Sequence, residues 1–101
     1  MGFLDIFRDK RPLRQAYEEA ATAIETFVDG RGGPWDWGDF TSIKEKDPYL
    51  ESVRMRCCTV PDEFPAAQKG KYCSAEGLQI LRSLAADIRT RISSLPNEER
   101  A

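Results

Sequence analysis

The sequence predicts a small all-α domain of three helices, with a short N-terminal helical turn and two long loops that pack over the core. Apolar residues recur at three- and four-residue intervals in three segments, which is the helical period. Capping residues or prolines precede these segments, and glycine or proline ends them. A short β pairing of residues 40–43 with 55–60 or 71–73 is a minor alternative.

The first predicted helix covers residues 12–28. Pro12 suits the first helical turn, where an absent backbone N–H costs nothing, and Gly30 suits the left-handed conformation that often follows a helix. Its apolar stripe consists of Leu13, Ala16, Tyr17, Ala20, Ile24, Phe27 and Val28. Residues 1–11 form an apolar and basic N-terminal arm ahead of this helix.

The second predicted helix covers residues 48–58. Asp47 supplies a capping carboxylate and Pro48 the first helical residue. The residues predicted to face the core are Tyr49, Leu50, Val53 and Cys57. Two prolines in residues 60–65 predict an irregular segment directly after the helix.

The third predicted helix covers residues 75–94 and has the clearest pattern in the chain. Ser74 is its expected N-cap, and Asp87 and Arg91 have the spacing of an i,i+4 ion pair. Its inward side consists of Leu78, Leu81, Leu84, Ala85, Ile88 and Ile92. The helical domain is therefore predicted to cover residues 12–95, and residues 96–101 to form a disordered tail.

Composition excludes several classes of function. With 15 basic and 17 acidic residues in 101, the net charge of −2 lacks the basic excess of a nucleic-acid-binding domain. The longest uncharged run is six residues, so no membrane span is expected, and no secretory leader is recognised at the N-terminus. We expect a cytoplasmic protein.

The three cysteines agree with a reducing compartment. Cys57 and Cys58 are adjacent and the number is odd, whereas a disulfide framework has an even number at wider spacing. We expect at least two of the three thiols to be buried as small apolar groups.

The sequence carries no catalytic or metal-binding signature, and no cofactor is expected. It contains no histidine, which removes the commonest general base and the usual activator of Ser and Cys nucleophiles. A thiol-based activity at Cys73, or a metal-assisted one at Asp36 and Asp39, is a minor alternative. For both carboxylates a turn or capping role is the favoured interpretation.

Residues 30–40 form the most distinctive segment, with both tryptophans, two carboxylates and four of the seven glycines. Tryptophan is enriched at binding hot spots, and loops commonly carry recognition residues. The candidate partner-binding residues are Trp35, Asp36, Trp37, Asp39, Phe40, Phe64 and Tyr72.

The leading hypothesis is a non-enzymatic module that binds another protein or itself, and a homodimer is compatible with it. An alternative is a peripheral membrane adaptor acting through residues 3–14, where Phe3, Leu4, Ile6 and Phe7 lie next to Arg8, Lys10, Arg11 and Arg14.

Overall fold

A computed structural model describes residues 11–33 and 36–95. Within these ranges the chain forms four helices, α1 (Leu13–Val28), α2 (Asp36–Ser42), α3 (Pro48–Glu63) and α4 (Ala75–Ile92). The all-α prediction is confirmed. The alternative β pairing is wrong for this part of the chain, because residues 40–42 and 55–60 are helical and their backbone groups bond within α2 and α3.

All three predicted helices are present, and the second extends more than one turn beyond its predicted end, to Glu63. The expected inward residues form one core, in which Ile24, Leu50, Leu81 and Ile88 are fully buried. Asp47 accepts the backbone N–H of Leu50 at 3.1 Å. These contacts follow from apolar periodicity and capping chemistry, both of which are local in sequence.

Helices α1 and α4 form an antiparallel pair, which is the principal packing contact. Arg14 at the start of α1 donates to the carbonyls of Ile92 and Leu95 at the end of α4, both at 3.3 Å. Farther along α1, Arg89 donates to the Glu25 carboxylate at 2.8 Å, and Arg82 pairs with Asp29 just after α1 at 3.5 Å. These bonds fix the alignment of the two helices, and their buried apolar side chains, among them Ile24, Leu81 and Ile88, supply the burial.

Helix α3 packs on the same core with its start near the end of α4. The Tyr49 hydroxyl donates to Asp87, and the Arg91 guanidinium lies 3.8 Å from the centre of the Tyr49 ring. Arg91 also pairs with Asp87 at 3.1 Å, so the predicted i,i+4 pair is confirmed.

The prediction that residues 60–65 are irregular is wrong for residues 60–63, because α3 continues through Pro61 to Glu63. A proline inside a helix cannot donate to the carbonyl four residues earlier, which is that of Cys57. The Tyr72 hydroxyl donates to that carbonyl at 3.0 Å and replaces the missing bond. The helix therefore tolerates Pro61 because a distant side chain satisfies Cys57.

The sequence did not predict α2, whose seven residues were expected to be part of a loop. So short a helix is unstable alone and depends on tertiary packing. Phe40 is buried in the core, and Arg54 of α3 donates to the Thr41 carbonyl at 2.5 Å near the C-terminal end of α2. Arg54 also bonds to Glu51 within α3. Contacts from α3 thus hold α2 in place.

A buried ion pair fixes the connection between α2 and α3. The Glu45 side chain is 1% exposed and accepts from Arg11 at 2.8 Å, while its backbone N–H donates to Glu51 at 2.8 Å. Arg11 also pairs with Glu19 of α1.

Among residues 11–33 and 36–95, none of the helices combines the length and the hydropathy that a transmembrane span requires.

Candidate partner-binding groove

A surface groove runs between α1 and α2, and we refer to it as the α1/α2 groove. It consists of two hollows, of about 310 and about 170 Å³, that share Ala23 and Asp36 in their lining. Its apolar floor is formed by Ala20, Ala23, Phe27, Trp37 and Phe40. The groove exists because α1 presents alanines where larger side chains would reach α2.

Glycines keep one end of the groove open. Gly30, Gly32 and Gly33 line the larger hollow and place no side chain in it. Gly30 has a φ of 74°, which favours glycine, and this confirms its predicted role after α1. The Gly33 N–H donates to the Asp36 carboxylate at 2.9 Å, which fixes this loop to the first residue of α2.

Carboxylates form the rim. Asp36 and Asp39 lie in the first turn of α2, where negative charge is favoured by the helix dipole, and both are exposed. Glu19 contributes from α1 and is paired with Arg11. No lysine or arginine is among the described lining residues of either hollow. The rim is acidic above an apolar floor.

An aromatic cluster holds the floor in place. The Trp37 ring stacks on Phe27 with centroids 4.1 Å apart and planes 10° from parallel. Tyr72 meets both rings edge-on, at 5.1 Å from Phe27 and 5.8 Å from Trp37. Such contacts stabilise beyond the area that they bury. Trp37 is therefore a structural residue whose accessible part faces the groove.

The Trp37 indole nitrogen is buried and makes no hydrogen bond within the described part of the chain. The Trp37 and Tyr72 rings meet edge-on, and the Tyr72 hydroxyl is directed to the Cys57 carbonyl. Burial raises the pKa of Tyr72, and the indole N–H partly opposes that rise. The hydroxyl keeps its proton and donates it to the Cys57 carbonyl.

The structure brings four of the seven predicted site residues together, because Asp36, Trp37, Asp39 and Phe40 all line the groove. Tyr72 supports it from the core side. Phe64 does not line it and packs against the core at the end of α3. Trp35 lies outside the described residues.

Sequence reasoning missed the contribution of α1. Glu19, Ala20, Ala23, Thr26 and Phe27 form one side of the groove. Only Ala20 and Phe27 belong to the predicted core-facing stripe of this helix, and Glu19, Ala23 and Thr26 lie outside it. The available signal was the small size of Ala20 and Ala23, which leaves space beside α2 that larger residues would fill.

The thiols differ in accessibility. Cys57 and Cys73 are buried, as expected for at least two of them, and Cys58 is exposed. Burial raises the pKa of Cys57 to about 12 and also raises that of Cys73. Both buried thiols thus remain protonated near neutral pH, and Cys73 lacks the lowered pKa of a nucleophilic cysteine. In residues 11–33 and 36–95, no three metal-ligating side chains lie close enough to hold an ion.

The α1/α2 groove thus combines a small-residue face on α1, a short acidic helix α2 and the stacked pair of Phe27 and Trp37 between them. Comparison with protein-family models, with curated proteins and with solved structures gives no match.

Proposed function

We propose that the protein is a non-enzymatic binding module that engages a protein partner through the α1/α2 groove. The observation that carries this proposal is the combination of an apolar floor with Asp36 and Asp39, which have no ion-pair partner in the described ranges. Concave apolar surfaces with a few polar groups at their edge are typical binding sites.

The distribution of charge pairs supports this choice of surface. Elsewhere, Glu25 pairs with Arg89, Asp29 with Arg82 and Asp87 with Arg91. The two rim aspartates have no such neighbour in the described ranges. Glu18, Asp62 and Glu76 also have none there, but only the aspartates lie beside an apolar floor that includes Trp37, a residue type common at binding hot spots.

The membrane-surface alternative receives no support from the described residues. Of its four cationic side chains, Arg11 pairs with Glu19 and Glu45, and Arg14 donates to carbonyls at the end of α4. Phe3, Leu4, Ile6, Phe7, Arg8 and Lys10 lie outside the described residues.

The test is a single groove-filling substitution. Ala23 lines both hollows, so Ala23→Leu adds an apolar side chain to the groove without removing a hydrogen bond. Trp37→Ala is a poorer test because it also removes the stack on Phe27. Ala86→Leu is the matched control, since it makes the same change in a separate hollow between α1 and α4 that shares no lining residue with the groove.

Affinity capture from the native cell with wild type, Ala23→Leu and Ala86→Leu as baits measures the effect. We expect partners that wild type and Ala86→Leu retain and that Ala23→Leu loses, with unchanged helicity by circular dichroism. Identical retention by all three baits would place the binding surface elsewhere.

A further inference from the structure

The charge and shape of the α1/α2 groove narrow the chemistry of its partner. We propose that the partner inserts a basic amphipathic segment, with a Lys or Arg side chain flanked by apolar residues. This inference rests on the proposed function, because it concerns the same groove. It adds the chemical class of the partner, which the proposed function leaves open.

The cationic group is inferred from the rim. Asp36 and Asp39 are exposed, one helical turn apart, and have no basic side chain paired with them in the described ranges. Asp36 already accepts one backbone N–H from Gly33, which fixes the direction of its carboxylate and leaves lone pairs for a further donor. A guanidinium or ammonium group at this place would be attracted by both carboxylates.

The apolar flanks are inferred from the floor. Ala23, Phe27 and Trp37 lie beneath the rim and offer small aliphatic and aromatic surface. Long basic side chains bury their aliphatic stems on such a surface while their charged ends reach polar groups. A neighbouring apolar residue of the partner would cover the second hollow, above Ala20 and Phe40.

Within the described ranges, the arginines of a second copy are already engaged, which favours a different protein as the partner. Each of the eight arginines in the described ranges already donates to a carboxylate or carbonyl of its own chain. Within these ranges, a second copy would have to give up one of these contacts or use a lysine. Arg8, Lys10 and Arg100 lie outside the described residues, and binding through them is the outcome that the dimer measurement below tests.

The experiment uses a displayed library of random 12-residue peptides as the probe. The full chain is the bait, with counter-selection on Ala23→Leu so that only groove-dependent peptides survive. We expect these peptides to be enriched in Lys and Arg next to apolar residues. The dissociation constants of the recovered peptides are then measured by fluorescence anisotropy.

Two charge variants provide the quantitative comparison. Asp36→Asn with Asp39→Asn should weaken binding about tenfold, the effect of losing two partly exposed ion pairs. Glu18→Gln with Asp62→Asn changes the net charge equally at exposed sites outside the groove and should weaken it less than twofold. Higher salt should reduce the difference between the two variants.

The outcomes separate the two proposals. Groove-dependent peptides without basic enrichment, or with equal affinity for both charge variants, overturn the basic partner and leave the binding groove in place. If no recovered peptide depends on Ala23, both proposals fail. If the protein forms a dimer in sedimentation equilibrium that Ala23→Leu abolishes, the occupant is a second copy and the inference of a basic partner is wrong.

Discussion

Glycine is required at one helical position of this protein and replaceable at another. A Cβ on Gly77 of α4 would lie 2.8 Å from the Cys73 sulfur and 3.0 Å from a Val60 methyl carbon. A Cβ on Gly38 of α2 would meet nothing within 4 Å. Gly77 therefore allows the end of α3 and the start of α4 to approach, whereas Gly38 has no such role.

Opposite effects on stability are expected for the two alanine substitutions. Gly38→Ala should stabilise by about 0.5 kcal/mol, because alanine is the better helix former. Gly77→Ala should destabilise by about 1 kcal/mol, since overpacking at Cys73 and Val60 exceeds the gain in helix propensity. Urea unfolding of both variants measures this difference, and equal stabilisation would mean that the Gly77 contact relaxes freely.

One of the three cysteines should react rapidly with a thiol reagent, and the other two should react slowly. Cys58 is exposed, while Cys57 and Cys73 are buried with raised pKa values. An aromatic disulfide reagent at pH 8 should therefore modify one thiol per chain rapidly in the native protein, and three in denaturant. Cys58→Ser should remove the rapid phase. A rapid phase that persists in this variant would show that a buried thiol becomes accessible.

At the scale of elements, the passage of α3 through Pro61 depends on one distant hydroxyl. Pro61 leaves the Cys57 carbonyl without its helical donor, and Tyr72 supplies a donor from the connection before α4. The proline and the tyrosine are eleven residues apart in sequence and act on the same carbonyl. The effects of substituting Pro61 and Tyr72 on the free energy of unfolding should consequently be coupled.

A double-mutant cycle tests this coupling. Tyr72→Phe should cost about 1–3 kcal/mol in the wild-type background, because the Cys57 carbonyl loses its donor. In the Pro61→Ala background the cost should be smaller, since the alanine N–H can bond to Cys57 within the helix.

Tyr49→Phe is the matched control for this cycle. It also removes a phenolic hydrogen bond, to Asp87, but one that does not involve residue 61. Its cost should be the same with proline or alanine at that position. Additive effects of Tyr72→Phe and Pro61→Ala would contradict the proposed compensation.

These elements also show what the sequence can and cannot predict. Asp47 and Ser74 were identified as N-caps because the groups that they bond lie three residues away. Pro61 was assigned to a break because the residue that compensates for it is remote in sequence. Helix α2 was missed because seven residues contain too little periodicity, and its stability comes from α1 and α3.

At the scale of the whole molecule, all three tyrosines connect different elements of the fold and have raised pKa values. Burial and a bond to Asp47 raise the pKa of Tyr17 to about 12, and burial with a bond to Asp87 raises that of Tyr49 further. Burial also raises that of Tyr72. An unfolded tyrosine ionises near pH 10. Between these values the folded state binds more protons than the unfolded state.

The contribution of the tyrosines to the free energy of unfolding should therefore be constant below about pH 10. It should fall as pH rises from 10 towards 12. Tyrosinate absorbance near 295 nm should appear together with loss of helical circular dichroism. Tyr17→Phe should reduce the slope of stability against pH. Tyrosinate that forms with a midpoint near pH 10 while helicity is intact would contradict the raised pKa values.

The candidate site was predictable only on its α2 side. Asp36, Trp37, Asp39 and Phe40 are unusual residues close together in sequence, which drew attention to them. Ala23 and the other α1 residues are common in helices, and their role depends on which surface faces them after folding. When two elements form a binding site, the sequence predicts mainly the residues of the element with the more unusual composition.

The close stacking of Trp37 on Phe27 gives the protein an intrinsic optical reporter. There are two indoles in the chain, so Trp35→Phe would leave Trp37 as the sole long-wavelength fluorophore. Because this ring borders the larger hollow, its emission should respond when a molecule displaces water there. Occupancy could then be followed in real time on the untagged protein, with no dye attached to either component.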